Sequence, residues 1–185
     1  MEEMISGFTK DDVEEVVRIL KKWDGGKIPT ELFTVLAGML PIPVLETVIL
    51  RQHKNMTQVL LIPRPKDDIV WPGMIHSPGG ALRRADYFRE DKNPNNGVFE
   101  RIEKQEIGMR FITAPELVGV IVPGRISARG PEMCQIFLGK IDENTKLPEG
   151  AGWYDVEELN KIPNFIQHQI PAINMALGFF KEKYL

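Results

Sequence analysis

The chain has 185 residues, 43% hydrophobic and 26% charged, with a formal net charge of −3. That length and balance suit one globular domain with a full core and a short extension. They exclude a nucleic-acid-binding polyelectrolyte, since 23 basic residues are scattered and outnumbered by 26 acidic ones.

The single Cys134 excludes an internal disulfide and a multi-cysteine zinc site, so a reducing cytoplasm is the expected compartment. The opening stretch to Asp12 is acidic and polar, unlike a signal or transit peptide. The apolar run Leu36 to Leu45 is broken by Pro41 and Pro43 and is far too short to span a bilayer. Neither a membrane nor a nucleic acid is an expected partner.

Thr9 reads as a helix N-cap, with Asp11 and Asp12 favourably placed against the helix dipole. Val13, Val16, Val17, Leu20 and Trp23 recur at helical spacing until Gly25-Gly26 ends the helix. A second helix is predicted from about Thr30 to Gly38, with Leu32, Phe33, Val35 and Leu36 inward. Residues 1–41 are thus expected to be a helical extension packed on a domain of residues 42–185. The same apolar stripe would also suit the seam of a dimer.

From Val44 the pattern changes to strands. Val44 to Arg51 and Gln58 to Arg64 are β-branched and aliphatic and read as a hairpin around His53 to Thr57. A loop with Pro65, Asp67 and Asp68 leads to Trp71 and then to Pro78-Gly79-Gly80-Ala81-Leu82. Residues 83–96 are polar and read as a loop, with a helix capped by Asn95 or Asn96 after it. Strands are expected at Glu116 to Val122, Met133 to Ile141 and Trp153-Tyr154. Asp155 caps a brief helix, and an amphipathic helix from Phe165 carries Ile170, Ile173, Met175, Leu177 and Phe180. This order predicts an α/β protein with a mixed sheet between helices rather than strict βα alternation.

The Gly-Gly segment and the helix after it carry the chemistry. A backbone carbonyl in a Gly-Gly turn is a hard oxygen ligand, and a helical carboxylate facing it adds charge. Magnesium is commonly bound by only a few such oxygens, water and substrate phosphates supplying the rest. Glu103 and Glu106 sit three apart on the helix and are the candidate carboxylates, although Glu100, Glu103 and Glu106 equally describe a solvated acidic stripe.

The arrangement Val59 to Arg64, Trp71, Pro78-Gly79-Gly80 and Arg101 to Gly108 resembles the signature of the Nudix hydrolases, G-x5-E-x7-R-E-U-x-E-E-x-G-U with U aliphatic. Trp153 to Leu159 resembles the strand and short helix that close that domain, so the likeness spans roughly residues 42–180. It implies a Nudix-like α/β/α sandwich behind the N-terminal extension. The signature is altered here. Asp86 stands where the first Glu is expected, fourteen residues separate it from Arg101 instead of seven, and Ile102 and Gln105 replace two helix carboxylates.

The segment Phe99 to Gly108 is similar to the helix of the GDP-mannose mannosyl hydrolases, a branch with a single metal ion. That resemblance implies one Mg2+, or Mn2+ in its place, on the Gly79 carbonyl and Glu106. It also implies hydrolysis of a nucleoside diphosphate linked to another moiety, such as a sugar. The altered signature leaves open a catalytically silent domain that binds a nucleotide-like ligand or a partner protein. Arg101, Glu103 and Glu149 are the candidate catalytic residues. Arg64, Trp71, His76, Gly80, Arg84, Arg125 and Arg129 are the candidate contacts to a nucleotide-type substrate, and a homodimer is an arrangement the family uses. His168 is read as structural, Cys134 as an inert core residue, and His53 lies in a turn.

Overall fold

Strand β1 (Ile42–His53) organises the molecule, whose computed structural model describes residues 7–23, 28–122 and 130–185. Its alternation sends Val44, Val48 and Leu50 to one face and Leu45 and Ile49 to the other. All five are buried, so the strand needs cover on both sides. On one face α4 (Ile170–Tyr184) supplies it with Ala172, Ile173 and Ala176. On the other, α3 (Pro94–Arg101) supplies it with Val98 and Phe99. The result is the expected α/β/α sandwich.

The hairpin predicted after β1 forms with β2 (Met56–Pro63), tightly enough to hold Lys54 at a φ of 55°. The remaining strands are β3 (Ile75–His76), β4 (Gly79–Ala81), β5 (Glu116–Ile121), β6 (Glu132–Gly139) and β7 (Gly152–Asp155). Among the described residues they join in one seven-stranded mixed sheet, its main path running β3-β2-β1-β6-β5. β1 runs parallel to β6 and antiparallel to β2 and β4.

One feature of this sheet makes the site. The same edge of β1 pairs with β4 at Val44 to Glu46 and with β2 from Leu50 onward. Between the two, the Thr47 amide donates to the Pro78 carbonyl at 2.8 Å. The sheet therefore forks beside Thr47, and the chain reaches β4 from β3 through Ser77 and Pro78 at the crotch of the fork.

Helix α3 starts earlier than expected, with Asn93 as its cap and Pro94 in the first turn, where a missing N–H costs nothing. It then widens into a π-helical turn over Ile102–Ile107. Ile102 and Ile107 are both buried, and five residues apart on an α-helix they would diverge by roughly 140°. The i→i+5 turn brings both to the core. Gly108, at a φ of 69°, closes it in the left-handed conformation that glycine adopts without strain.

The N-terminal helices differ from expectation. Helix α1 (Lys10–Leu20) forms with the predicted cap: Thr9 and Asp12 exchange hydrogen bonds in a capping box. Its Val13, Val16 and Val17 are exposed, however, and none of its residues is buried. Helix α2 (Thr30–Met39) buries Ala37, while Leu32, Phe33 and Leu36 are half-buried and Val35 is exposed. The predicted Gly25-Gly26 stop lies outside the described residues. No described helix is long and apolar enough to cross a membrane.

Phe165 is 1% exposed and anchors the link from β7 to α4 on the β1 face. Phe165→Ala should lower unfolding stability by about 3–5 kcal/mol, measurable as a shift in the urea midpoint.

Candidate functional site

The fork opens a narrow cleft lined by Glu46, Arg64, Trp71, His76, Ser77, Gly79, Gly80, Glu132, His168 and Gln169 together with neighbouring apolar residues. Five of the residues singled out in the sequence thus meet in one place: Arg64, Trp71, His76, Gly79 and Gly80. With a volume of about 40 Å³, the cleft admits a water or an ion. A larger ligand would lie across its mouth.

One wall is a chain of stacked and paired side chains. Arg64 donates from Nε to Asp68 Oδ2 at 2.8 Å and lies 5.6 Å over the Trp71 ring. Trp71 in turn meets the His168 ring at 4.9 Å between centroids. Arg64 Nη1 is 3.4 Å from Nδ1 of the buried His76, and because a guanidinium only donates, that nitrogen accepts. Asp68 ties the loop down. Burial works to raise its carboxyl, but the Trp71 and Val70 amides and the Arg64 guanidinium outweigh burial and hold it at about 2.

The floor belongs to β1 and α4. Gln169 accepts from the Ser77 amide at 2.9 Å and donates to Glu46, fixing the carboxylate on the strand position opposite Gly79. Cys134 donates weakly to the same carboxylate at 3.8 Å. Burial, together with Glu46 and Glu132, pushes its thiol far up, so it is an inert core residue as the sequence suggests. The Ser77 hydroxyl is fully buried and, among the described residues, has no hydrogen-bond partner; the same holds for Thr47 at the fork.

Glycine at position 79 is a steric requirement. A Cβ there would sit 2.6 Å from the Leu45 carbonyl oxygen. The Gly79 amide donates to Glu106 Oε2 at 3.0 Å, so loop and helix carboxylate adjoin as the signature demands. Glu103 does not join them. The π turn carries it away, and it accepts from the Phe111 amide at 2.8 Å, bracing the chain after the helix.

Arg101, a candidate catalytic residue in the sequence, is engaged by other groups of this chain. Its guanidinium grips Asp86 through two bonds, at 2.6 and 3.1 Å, and also donates to the Ala81 carbonyl at 2.9 Å. The Asp86 side chain is only 5% exposed and also accepts from the Arg83 amide. It passes so close to α3 that a Cβ on Gly97 would overlap it. The pair fastens the enlarged loop to the helix and to the end of β4.

Other candidates lie elsewhere. Arg84 is exposed and turns to the Trp23 carbonyl and the Phe88 ring. Glu149 is exposed on a loop and does not line the cleft. Arg125 and Arg129 lie outside the described residues. The sequence reading missed Glu46, Ser77, Glu132 and Gln169 and took His168 as structural. Glu46 had a signal, a lone charge within Val44 to Leu50, whereas Gln169 reaches the site only through the packing of α4.

No family model and no curated protein matches the sequence. Solved structures do match its fold. The NUDIX domain of Shewanella oneidensis NrtR, complexed with ADP ribose, is 14% identical, with a TM-score of 0.56 over 89% of this chain and 97% of that one. A mutT/nudix family protein from Listeria innocua is 14% identical, with a TM-score of 0.57 over 78% and 98%. The C. elegans Ap4A hydrolase is 12% identical, with a TM-score of 0.55 over 76% and 99%. The chain has the Nudix fold.

Two measurements test this description. Asp86→Ala leaves the Arg101 charge half-buried and unpaired, so it should cost about 3–5 kcal/mol of stability by chemical denaturation. Asp68 has its folded pKa depressed to about 2, so its stabilising contribution is present at neutral pH and is lost as pH falls from about 4 to 2. Asp68→Asn should remove that part of the acid-unfolding profile.

Proposed function

We propose that this chain is a Nudix-type hydrolase of a nucleoside diphosphate linked to another moiety, a nucleotide sugar being the first class to test. The observation that carries the reading is the Glu106 carboxylate held on the Gly79 amide, which keeps both halves of the signature adjacent across an enlarged loop. The fold shared with a domain complexed with ADP ribose, a nucleoside diphosphate joined to a sugar, supports the same substrate class.

The donor set suits a sparsely liganded ion. Among the described residues no group of three or more His, Cys, Asp or Glu is arranged to hold one. One carboxylate and one carbonyl fit a largely hydrated Mg2+ shared with substrate phosphates, and do not fit a multi-metal cage. Glu106 and the Gly79 carbonyl would hold it. Bound there, the ion would neutralise the diphosphate as it leaves.

The chain's own residues would do the rest. The Trp71–His168 pair, backed by Arg64, offers a flat wall for a base or sugar. The Ser77 hydroxyl is a donor for a phosphate oxygen or a water bridging to one. Glu46, held by Gln169 beside Gly79, is the side chain suited to take a proton from the attacking water.

The second reading, a catalytically silent domain binding a nucleotide-like ligand, is favoured by one specific observation. Ile102 and Gln105 occupy carboxylate positions while Glu103 is committed to Phe111. A panel of nucleotide sugars and dinucleoside polyphosphates, incubated with Mg2+ and resolved by chromatography, separates the two. Hydrolysis should occur, Glu106→Gln should lower kcat/KM by about 100-fold or more, and Glu46→Gln should lower kcat by a similar factor. Unchanged activity in Glu106→Gln would contradict the metal assignment. Absence of turnover with binding retained would establish the silent reading.

A further inference from the structure

A second cavity opens at the other end of β1 from Gly79, outside the carboxyl ends of the parallel strands β1 and β6. Their pairing stops at Ile49 and Gly139. β1 runs on to His53 with, among the described residues, no strand beside that edge. In α/β sheets ligands bind outside the carboxyl ends of parallel strands, where neighbouring chains part. Arg51, which lines this cavity, lies about 16 Å along the strand from Glu46 in the Gly79 cleft. The volume is about 260 Å³, against about 40 Å³ for that cleft. A cavity of about 150 Å³ accepts benzene, so this one has room for one or two fused rings with a short substituent.

The lining gives the chemistry of the occupant. Phe180 and Tyr184, on the last turns of α4, place their rings 5.4 Å apart on one wall. Opposite them the Arg51 guanidinium lies 4.3 Å over the Trp153 ring. Arg64, Arg89 and Arg101 are half-buried, and each holds a carboxylate. Arg51 is half-buried too, yet among the described residues no carboxylate pairs with it; its Nε donates to the neutral Gln58 at 2.8 Å. The other charged side chains of the lining are Lys140, Glu116 and Glu143. Lys140 and Glu143 are exposed, and neither makes an ion pair among the described residues. Glu116 is already neutralised by Lys183, at 2.5 and 2.7 Å. With Lys183 included, the cavity carries one more cation than carboxylate. Lys181 and Lys183 in the last turn of α4 also offset the negative end of that helix.

We propose that this crevice is a second ligand site, which takes a compact aromatic carboxylate. The ring lies against Phe180 and Tyr184, and the carboxylate meets Arg51 and Lys140. A guanidinium matches a carboxylate with two parallel N–H donors, and the ligand supplies the counter-charge that Arg51 lacks. The inference is independent of the proposed hydrolase activity.

Calorimetric titration of the full chain with 2-naphthoate, and with the neutral 2-naphthamide, tests it. The carboxylate should bind at one site with a Kd on the order of 100 μM, and the amide about tenfold or more weaker. Arg51→Gln and Lys140→Gln should each weaken 2-naphthoate by about tenfold and leave the amide unchanged. Lys140 is exposed, so its variant keeps the fold even if Arg51→Gln does not. Tyr184→Ala should weaken both compounds, because it removes a contact to the ring. Arg64→Gln, in the Gly79 cleft, should alter neither. Absence of saturable 2-naphthoate binding up to about 5 mM overturns the proposal. So does equal affinity for acid and amide, or binding that is lost in Arg64→Gln and kept in Lys140→Gln.

Discussion

The ion pair between Asp86 and Arg101 is the constraint on which the site depends. It ties the end of β4 at Ala81 and the enlarged loop at Arg83 and Asp86 to the helix at Arg101, 15 residues beyond Asp86. An almost fully buried carboxylate is costly unless its oxygens are satisfied, and here two guanidinium bonds and a backbone amide satisfy them. Gly97 makes the approach sterically feasible. With that anchor in place the helix arrives at a set height, and Glu106 reaches the Gly79 amide.

The second constraint is the fork in the sheet. Because one edge of β1 is shared by β4 and β2, strand order alone leaves a gap beside Thr47, which the Pro78 carbonyl partly closes. The gap brings together side chains from β1, β3 and the turn before α4. Glu46 lies at the boundary between sheet and cleft, held by Gln169, so its position is dictated by the docking of α4 as much as by β1.

Much of this was legible in the sequence, for reasons that can be named. The apolar alternation of Val44 to Leu50 and the spacing of Val98, Phe99 and Ile102 prescribe a sheet covered on both faces, and the Gly-Gly loop with Arg101, Glu106 and Gly108 prescribes the loop and helix against it. What was not legible depends on contacts between distant segments. The π turn follows from burying Ile102 and Ile107 together, and it redirects Glu103 to Phe111 in a way that helical spacing does not foresee. Arg101 matched the signature, yet its pairing with Asp86 was not legible, since only the fold brings Asp86 within reach. The exposed stripe of α1 is likewise invisible to periodicity, which reports that a face is apolar but not what covers it.

On the proposed reading, the cleft and the adjoining Gly79–Glu106 pair recognise a nucleoside diphosphate together with a divalent ion. Isothermal titration of the wild-type chain with a nucleoside diphosphate sugar, with Mg2+ and with a chelator, tests it most directly. Saturable one-site binding that weakens about tenfold or more when Mg2+ is withdrawn is the predicted result. Absence of binding to every nucleotide tried, or binding of equal strength with and without the ion, would contradict the account.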